Sequence, residues 1–423
     1  MSKPSIITGL DIGSDTIKIV SVRENPRTGE LEVFHSDRIS SFGVQKGRVG
    51  SPKDAAEKIS SLLAKVPKGH ERIDEVFVNI NGSKMQMVPN RGLISVSRAD
   101  QKIYQEDIER ILEETQKINL PSNREVFGIF PRSWILDGEA DLKKPLGLQG
   151  VRLELEALLL SIFSLDVENI TEAVAEAGLD VGSMIPSPLA ASSAVLSPGQ
   201  KELGVAVLDI GANTSGMTVY EEGNLLDMAV FPVGSANITN DIAIGLKTEI
   251  DIAERIKREF SAVDPEKRSK KKKIEIGEGA VHAGARGYKN QALEKEIGKK
   301  NYLDFSQKQV KKIVEARIYE IFELAQKELK KVGRQELLPA GIVLTGGGVK
   351  LPIAVEAAKK ILKLPSRIGC AQGFIGMEND PSLATVCGLI VEGRIGGGLN
   401  IGSEMPGKGI FGMVKKIFKA FEP

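Results

Sequence analysis

Cysteine is nearly absent from this 423-residue chain. Only Cys370 and Cys387 are present, too few for a disulfide framework and in keeping with a reducing compartment. Histidine is as scarce: His35, His70 and His282 lack metal-ligand spacing, so no zinc site is expected and all three are read as surface residues. Aromatic residues make up 5% of the chain, with a single tryptophan. Neither sign of charge is in excess, since 57 Lys and Arg stand against 56 Asp and Glu, a formal net charge of +1. That balance argues against a nucleic-acid partner bound over a basic body. No apolar run approaches the roughly 20 residues a spanning helix needs. The opening Met1-Ser2-Lys3-Pro4-Ser5 leads toward a strand, so no secretion signal is expected. The rest, 41% hydrophobic and 27% charged, is that of a globular protein long enough for two or more domains.

Glycine is plentiful, at 44 residues, and its placement is informative. The phrase Gly-Leu-Asp-Ile-Gly-Ser-Asp-Thr at 9–16 returns as Val-Leu-Asp-Ile-Gly-Ala-Asn-Thr at 207–214, and Thr345-Gly346-Gly347-Gly348 follows. Each begins at the end of an apolar β-type run, as a buried strand opening into a tight turn. Glycine lets the backbone approach a phosphate, and free N–H groups form an anion-binding concavity. The aspartate before it can hold hydrated Mg²⁺ between its carboxylate and phosphates. One Asp-x-Gly is ordinary turn chemistry. Two matched copies and a third glycine turn, in this order, point to one clamped nucleotide. Candidate residues are Asp11, Gly13, Ser14, Asp15, Thr16 and Lys18 on one side and Asp209, Gly211, Ala212, Asn213 and Thr214 on the other. Asp11 and Asp209 are the candidate metal ligands. Gly13, Ser14, Gly211, Ala212 and Asn213 are expected to lend backbone N–H groups, with Lys18 near the β- and γ-phosphates.

This pattern resembles the actin, Hsp70 and sugar-kinase superfamily, which implies ATP with Mg²⁺ as ligand. It also implies that Gly346, Gly347 and Gly348 pack against the adenosine, with Lys350 and Gly234 nearby. A second motif, Ala-Glu-Arg-Ile-Lys-Arg-Glu-Phe-Ser at 253–261, is similar to a helix of DnaK-type chaperones. On a helix Glu254, Lys257, Arg258 and Ser261 share a face, and the resemblance places them at the ribose and adenine.

The expected fold class is α/β: two ribonuclease-H-like, actin-type halves around a nucleotide cleft, with an α+β insertion and a C-terminal amphipathic helix. Residues 1–82 read as the first half, 83–165 as the insertion, 166–202 as the first half resumed and 203–233 as the start of the second. Residues 234–334 read as a helical lobe, 335–394 as the close of the second half, 395–407 as a flexible linker and 408–423 as the amphipathic helix. The insertion, with Ile135-Leu136-Asp137-Gly138 and then Lys144-Pro145-Leu146-Gly147-Leu148-Gln149-Gly150-Val151-Arg152-Leu153-Glu154, resembles that of the bacterial cell-division FtsA family. The resemblance extends over essentially the whole chain, including Asn379-Asp380-Pro381-Ser382.

The tail fits that family. On a helical wheel Ile410, Phe411, Val414, Ile417, Phe418 and Phe421 form one stripe, with Lys415, Lys416 and Lys419 opposite or flanking it. The stripe suits an interfacial anchor on an anionic membrane. The Lys267–Lys273 basic run is read as a solvated loop.

Two departures from the superfamily pattern stand out. Ala212-Asn213-Thr214-Ser215-Gly216 stands where many relatives have a second carboxylate after the second Asp-x-Gly turn, and Ser187-Pro188-Leu189-Ala190 offers no Gln or Glu to orient an attacking water. ATP binding with slow or negligible turnover is therefore expected, and no catalytic residue is assigned. The resemblance implies a polymerising adaptor forming head-to-tail filaments. It would hold an FtsZ C-terminal peptide on the helical lobe, tether the FtsZ ring to the cytoplasmic face of the membrane at the division site, and recruit other division proteins. The alternative is a PilM-like cytoplasmic component of type IV pilus assembly, which lacks the anchor.

Overall fold

The computed structural model describes residues 5–67, 72–142, 144–262, 272–276 and 301–395. β-Branched residues dominate the first strands, β1 (Ser5–Ile12) and β2 (Thr16–Glu24), and β1 is buried over most of its length, as suits a central strand covered on both faces. β3 (Leu31–Ser40) completes a meander, and a short hairpin follows, β4 (Val44–Gln45) and β5 (Arg48–Val49). In α1 (Pro52–Leu63) proline opens the helix where its missing N–H costs nothing, and Ala55, Ala56, Ile59 and Leu62 bury one face. β6 (Glu75–Ile80) then enters the sheet beside β1.

The insertion has a core of its own. Its strands β7 (Gln86–Ser95), β8 (Arg124–Leu136), β9 (Glu139–Leu142) and β10 (Arg152–Phe163) form a sheet in the order β7-β10-β8-β9. Against it α2 (Gln105–Thr115) lays Ile108, Ile111 and Leu112, which join Trp134, Leu153, Leu155 and Leu159 in one apolar cluster. Each such side chain contributes about 1.5–3 kcal/mol on burial, while Phe127, Leu160 and Ile162 of the same sheet join the core of the first half.

The chain returns to the first half with α3 (Ser164–Glu176), β11 (Asp180–Pro186) and α4 (Ser187–Val195). The second half contains α5 (Pro198–Leu203), β12 (Val205–Ile210), β13 (Ser215–Glu221), β14 (Asn224–Phe231), α6 (Ser235–Leu246) and α7 (Ile250–Ala262). The chain continues with β15 (Lys272–Ile276), β16 (Asn301–Phe305), α8 (Gln307–Lys331), β17 (Ile342–Thr345), α9 (Ala354–Leu362) and β18 (Ser366–Ile368) of the second half, then returns to the first with β19 (Phe374–Ile375) and α10 (Ala384–Ile395).

The two large sheets share one topology. The first runs β11-β6-β1-β2-β3-β19 and the second β18-β17-β12-β13-β14. In each a central strand has an antiparallel neighbour on one side and a parallel one on the other. The strap from β18 to β19 crosses from the second sheet to the edge of the first, where β19 pairs with β3. Beneath the junction α4 and α10 cross closely: a Cβ on Gly388 would lie 1.7 Å from the Ala190 carbonyl oxygen. Ser193 donates a hydrogen bond to Glu392 at the same crossing.

The structure corrects some readings of the sequence. His35 is buried rather than on the surface, because the β2–β3 register sets it opposite the fully buried Ser21, on the covered side of the sheet. His70 and His282 lie outside the described residues. Lys272 and Lys273, read as loop, begin β15, with Lys272 opposite Phe305 and Lys273 opposite Asp304 of β16 in the strand register; Lys267 to Lys271 lie outside the described residues, as do residues 396–423 with the whole amphipathic stripe. Short elements went unread: β9, β11, β18, β19 and α5 span two to seven residues, too few for a periodic signal. Among the described residues no helix is long and apolar enough to cross a membrane.

Candidate functional site

The first Asp-x-Gly turn joins β1 to β2, and antiparallel register sets Asp11 directly opposite Lys18. The Lys18 ammonium lies 2.7 Å from Asp11 Oδ2, with both side chains largely buried. Burial pushes the Lys18 pKa down, but Asp11, Asp209 and Asp15 outweigh it and hold the ammonium charged above its usual range. Ile12 N–H donates to Asn79 Oδ1 at 2.7 Å, and Asn79 Nδ2 donates to Ser187 Oγ at 3.0 Å, which ties the turn to the ends of β6 and α4.

The second turn repeats the backbone and changes the side chains. Asp209 stands opposite Gly216, and Thr385 Oγ1 donates to Asp209 Oδ2 at 3.1 Å. Burial, and then the nearby Asp11 carboxylate, push the Asp209 carboxyl up to about 6, against the opposing pull of Thr385 and Lys18. Where a counterpart of Lys18 would stand, Pro188 of α4 fills the space: a Cβ on Gly216 would lie 2.7 Å from Pro188 Cγ. The third glycine turn sits directly on Asp209. Gly346 has φ +87°, and a Cβ there would lie 2.1 Å from Asp209 Oδ1, so only glycine fits. Asn81 Nδ2 donates to Thr214 Oγ1 at 3.1 Å, a bond between the two halves.

These turns face one another across a cleft of about 860 Å³. Of the residues singled out in the sequence, Asp11, Gly13, Ser14, Asp15, Thr16, Lys18, Asp209, Gly211, Ala212, Asn213, Thr214, Glu254, Lys257, Arg258, Gly346, Gly347, Gly348 and Lys350 all line it. Gly234 does not line it. It precedes α6 and packs under the second turn, where a Cβ would lie 2.5 Å from the Ala212 carbonyl oxygen. Ser261 falls on α7, but its side chain is outside the described set. The amides of Gly13 and Gly211, assigned to the ligand from the sequence, instead close their own turns by donating to Thr16 O (3.2 Å) and Thr214 O (2.9 Å). A tight hairpin consumes its first amide in this way. The amides of Ser14, Asp15, Ala212 and Asn213 make no such turn-closing bond to the backbone.

On the α7 side Lys257 is buried, bonded to Thr239 Oγ1 (2.8 Å), Ser235 O (3.2 Å) and Glu254 (2.7 Å). It therefore ties α7 to the start of α6, while Arg258 remains largely exposed and pairs with Glu254. Lys350 pairs with Asp380 at 2.8 Å, and Arg38 of the first half reaches the same carboxylate at 3.6 Å. Asn79, Asn81, Ser187 and Thr385 were missed in the sequence because each is an ordinary polar residue brought in from a distant segment. The polar pair Asn79 and Asn81 at the end of an apolar strand was the one available signal.

The donor set fits a magnesium nucleotide. A hydrated Mg²⁺ needs only one or two carboxylates with phosphate oxygens, and Asp11 and Asp209 face the same space with Lys18 beside them. Among the described residues no group of three or more His, Cys, Asp or Glu side chains forms a metal cage.

Two matched halves, a cleft between their hairpins and crossed helices beneath define an actin-like fold. Solved structures agree on it. A PilM-PilN type IV pilus biogenesis complex matches with a TM-score of 0.63 and 17% identity over 92% of this chain and 98% of that one. MreB5 of Spiroplasma citri bound to ADP matches with a TM-score of 0.55 and 12% identity over 92% and 96%. Such low identities speak to the fold alone. In sequence, residues 206–388 match the family described as Cell division protein FtsA, and residues 82–161 match the SHS2 domain inserted in FTSA. The Cell division protein FtsA of Pseudomonas aeruginosa is 30% identical over 392 residues, covering 92% of this chain and 89% of the relative. That of Bacillus subtilis is 29% identical, covering 97% and 89%. The chain belongs to the FtsA family of cell division proteins.

Proposed function

We propose that the cleft binds ATP with Mg²⁺ and that the chain is a polymerising adaptor which anchors the FtsZ ring to the cytoplasmic face of the membrane and recruits other division proteins. The observation that carries the nucleotide reading is the pair of facing hairpins, with Lys18 and two carboxylates converging on one space. Ser187 and Pro188 occupy the cleft wall where a water-orienting Gln or Glu would serve hydrolysis, which supports slow or negligible turnover.

Membrane attachment rests on the sequence of residues 408–423. One short interfacial helix binds weakly, with about 1 kcal/mol from each lysine near anionic lipid. Many tails on one head-to-tail filament would convert weak anchors into stable attachment by avidity. For the FtsZ C-terminal peptide, the helical lobe presents Ile244 and Ile250 exposed around the α6–α7 connection, beside Lys247 and near Arg255. The two isoleucines offer apolar anchors, and the basic residues Arg255, Arg258 and Lys267 to Lys273 of the lobe's sequence would favour an acidic peptide through steering.

The test is vesicle co-sedimentation of the full chain, of a chain ending at Asn400, and of a variant with Phe411→Glu and Phe418→Glu. Both altered chains are expected to leave the pellet while binding ATP normally in titration calorimetry. Retention on vesicles would remove the anchor from this reading. Fluorescence anisotropy with an FtsZ tail peptide at low salt tests the lobe, and no binding there would remove that partner.

A further inference from the structure

Between the phosphate turns and the insertion stands the β4–β5 hairpin. Its two-residue tip, Lys46-Gly47, has φ values of 50° and 79°, the left-handed pair of a type I′ turn. On one side the tip touches the first turn of the cleft directly and reaches the second through Asn81. Gly47 N–H donates to Ser14 Oγ at 2.8 Å, and a Cβ on Gly47 would lie 3.1 Å from Asn81 Cγ, the residue that bonds Thr214 across the cleft.

On the other side the next residue reaches the root of the insertion. Arg48 Nε donates to Asp166 Oδ1 at 2.6 Å, and its guanidinium carbon lies 5.5 Å from the centre of the Phe163 ring. Phe163 is the last residue of β10, and Asp166 lies in the first turn of α3, so the pair marks the exit from the insertion. Lys84, before β7, and Arg124, first in β8, approach the same ring at 5.7 and 4.8 Å. Asn169 Nδ2 of α3 donates to Val49 O at 2.8 Å, a second tie from the hairpin to the same helix. Asp166 is buried, so withdrawing Arg48 would remove its direct ion-pair partner and leave only the charge of Arg124 nearby to offset the burial. Separating the hairpin from the root of the insertion would break both the ion pair and the Asn169 bond.

We infer that the β4–β5 hairpin couples nucleotide occupancy of the cleft to the seating of the insertion on the first half, with Arg48 as the positioning residue that transmits the coupling. The inference rests on the reading of the cleft as a nucleotide site. Phosphates entering between the turns meet Ser14 and Thr214, both of which the hairpin tip contacts directly or through Asn81. Gly47 and Arg48 are adjacent in the chain, so the residue that meets Ser14 directly precedes the one that holds Asp166. Coupling of this kind is reciprocal: whatever the nucleotide does to the insertion, the seated insertion does to nucleotide affinity.

Hydrogen exchange of the full chain, read by mass spectrometry with and without MgATP, tests it beside titration calorimetry on the same samples. In the unaltered protein MgATP is expected to slow exchange in residues 86–95 and 152–163 by about fivefold or more, the low end of ordinary allosteric coupling. Arg48→Met is expected to lose that slowing, with ATP affinity changed by no more than the same factor. Phe163→Leu is expected to behave alike, and it carries the test if Arg48→Met fails to give a cooperative thermal melt. If the unaltered protein binds no ATP, the reading of the cleft falls and the inference with it. If ATP binds but exchange in the insertion is unchanged, or Arg48→Met keeps the slowing, the inference alone is overturned.

Discussion

Asp11 and Asp209 hold the same place in two copies of one hairpin, yet they face different partners. Lys18 stands opposite the first and Gly216 opposite the second. The first half thus contributes an ion pair to the cleft, with a lysine that three carboxylates keep charged. In the second half the glycine admits Pro188 of α4, and the vacated side-chain space becomes a packing contact between the halves. Asp209 is left without a direct cation and its carboxyl rises to about 6. Duplicated topology therefore sets positions, and the residue across each strand decides whether a position serves electrostatics or packing.

That contrast can be broken at several points. The largest effect is expected on nucleotide binding. Lys18→Ala and Asp209→Ala each remove a charge-assisted contact worth about 1.5–3 kcal/mol, so calorimetry should show ATP weakened by about tenfold or more. Unchanged affinity in both would end the assignment of the two hairpins to phosphate and metal. Next comes the packing role of the second hairpin. Gly216→Val puts a side chain against Pro188 and should cost about 1–3 kcal/mol of stability by overpacking, measured by denaturant unfolding.

A smaller effect is expected from pH. In magnesium-free protein the folded Asp209 carboxyl, at about 6, binds its proton more tightly than the usual 3.8 of an unfolded chain. Between those values the native state carries the extra proton, so this group's contribution to stability falls as pH rises from about 4 to 6. Asp209 keeps some contact with solvent, so about 1–2 kcal/mol is expected rather than the full value of the shift. Asp209→Asn should flatten that part of the stability profile relative to the unaltered protein. The smallest effect is expected far from the cleft. The exposed pair Arg394–Glu24, at 2.8 Å, should be worth about 0.2–1 kcal/mol in a double-mutant cycle and should leave ATP affinity unaltered.

How legible all this was depended on the range of the interactions. The paired turns, the buried face of α2 and the meanders could be read directly, because an apolar run ending in Asp-x-Gly and an apolar spacing of three and four residues are local patterns. β11 was not legible, since Asp180–Pro186 includes Gly182, Ser183 and Pro186 and owes its strand to pairing with β6. Lys257 was correctly placed on a face with Glu254, but its burial against α6 depends on a second helix.

The amino-acid sequence by itself determined the two-hairpin plan, the separate core of the insertion and the family, because these follow from short-range pattern and from matched motifs. Only the tertiary structure decided which amides the turns leave free, that Asn81 and Thr385 join the cleft, that Pro188 replaces a second lysine, that His35 is inside, and that Arg48 links cleft to insertion. Those outcomes belong to pairs of residues distant along the chain, such as Arg48 and Asp166 or Asn81 and Thr214. Their meeting is set by the sheets and the crossing helices, and neither residue announces its partner.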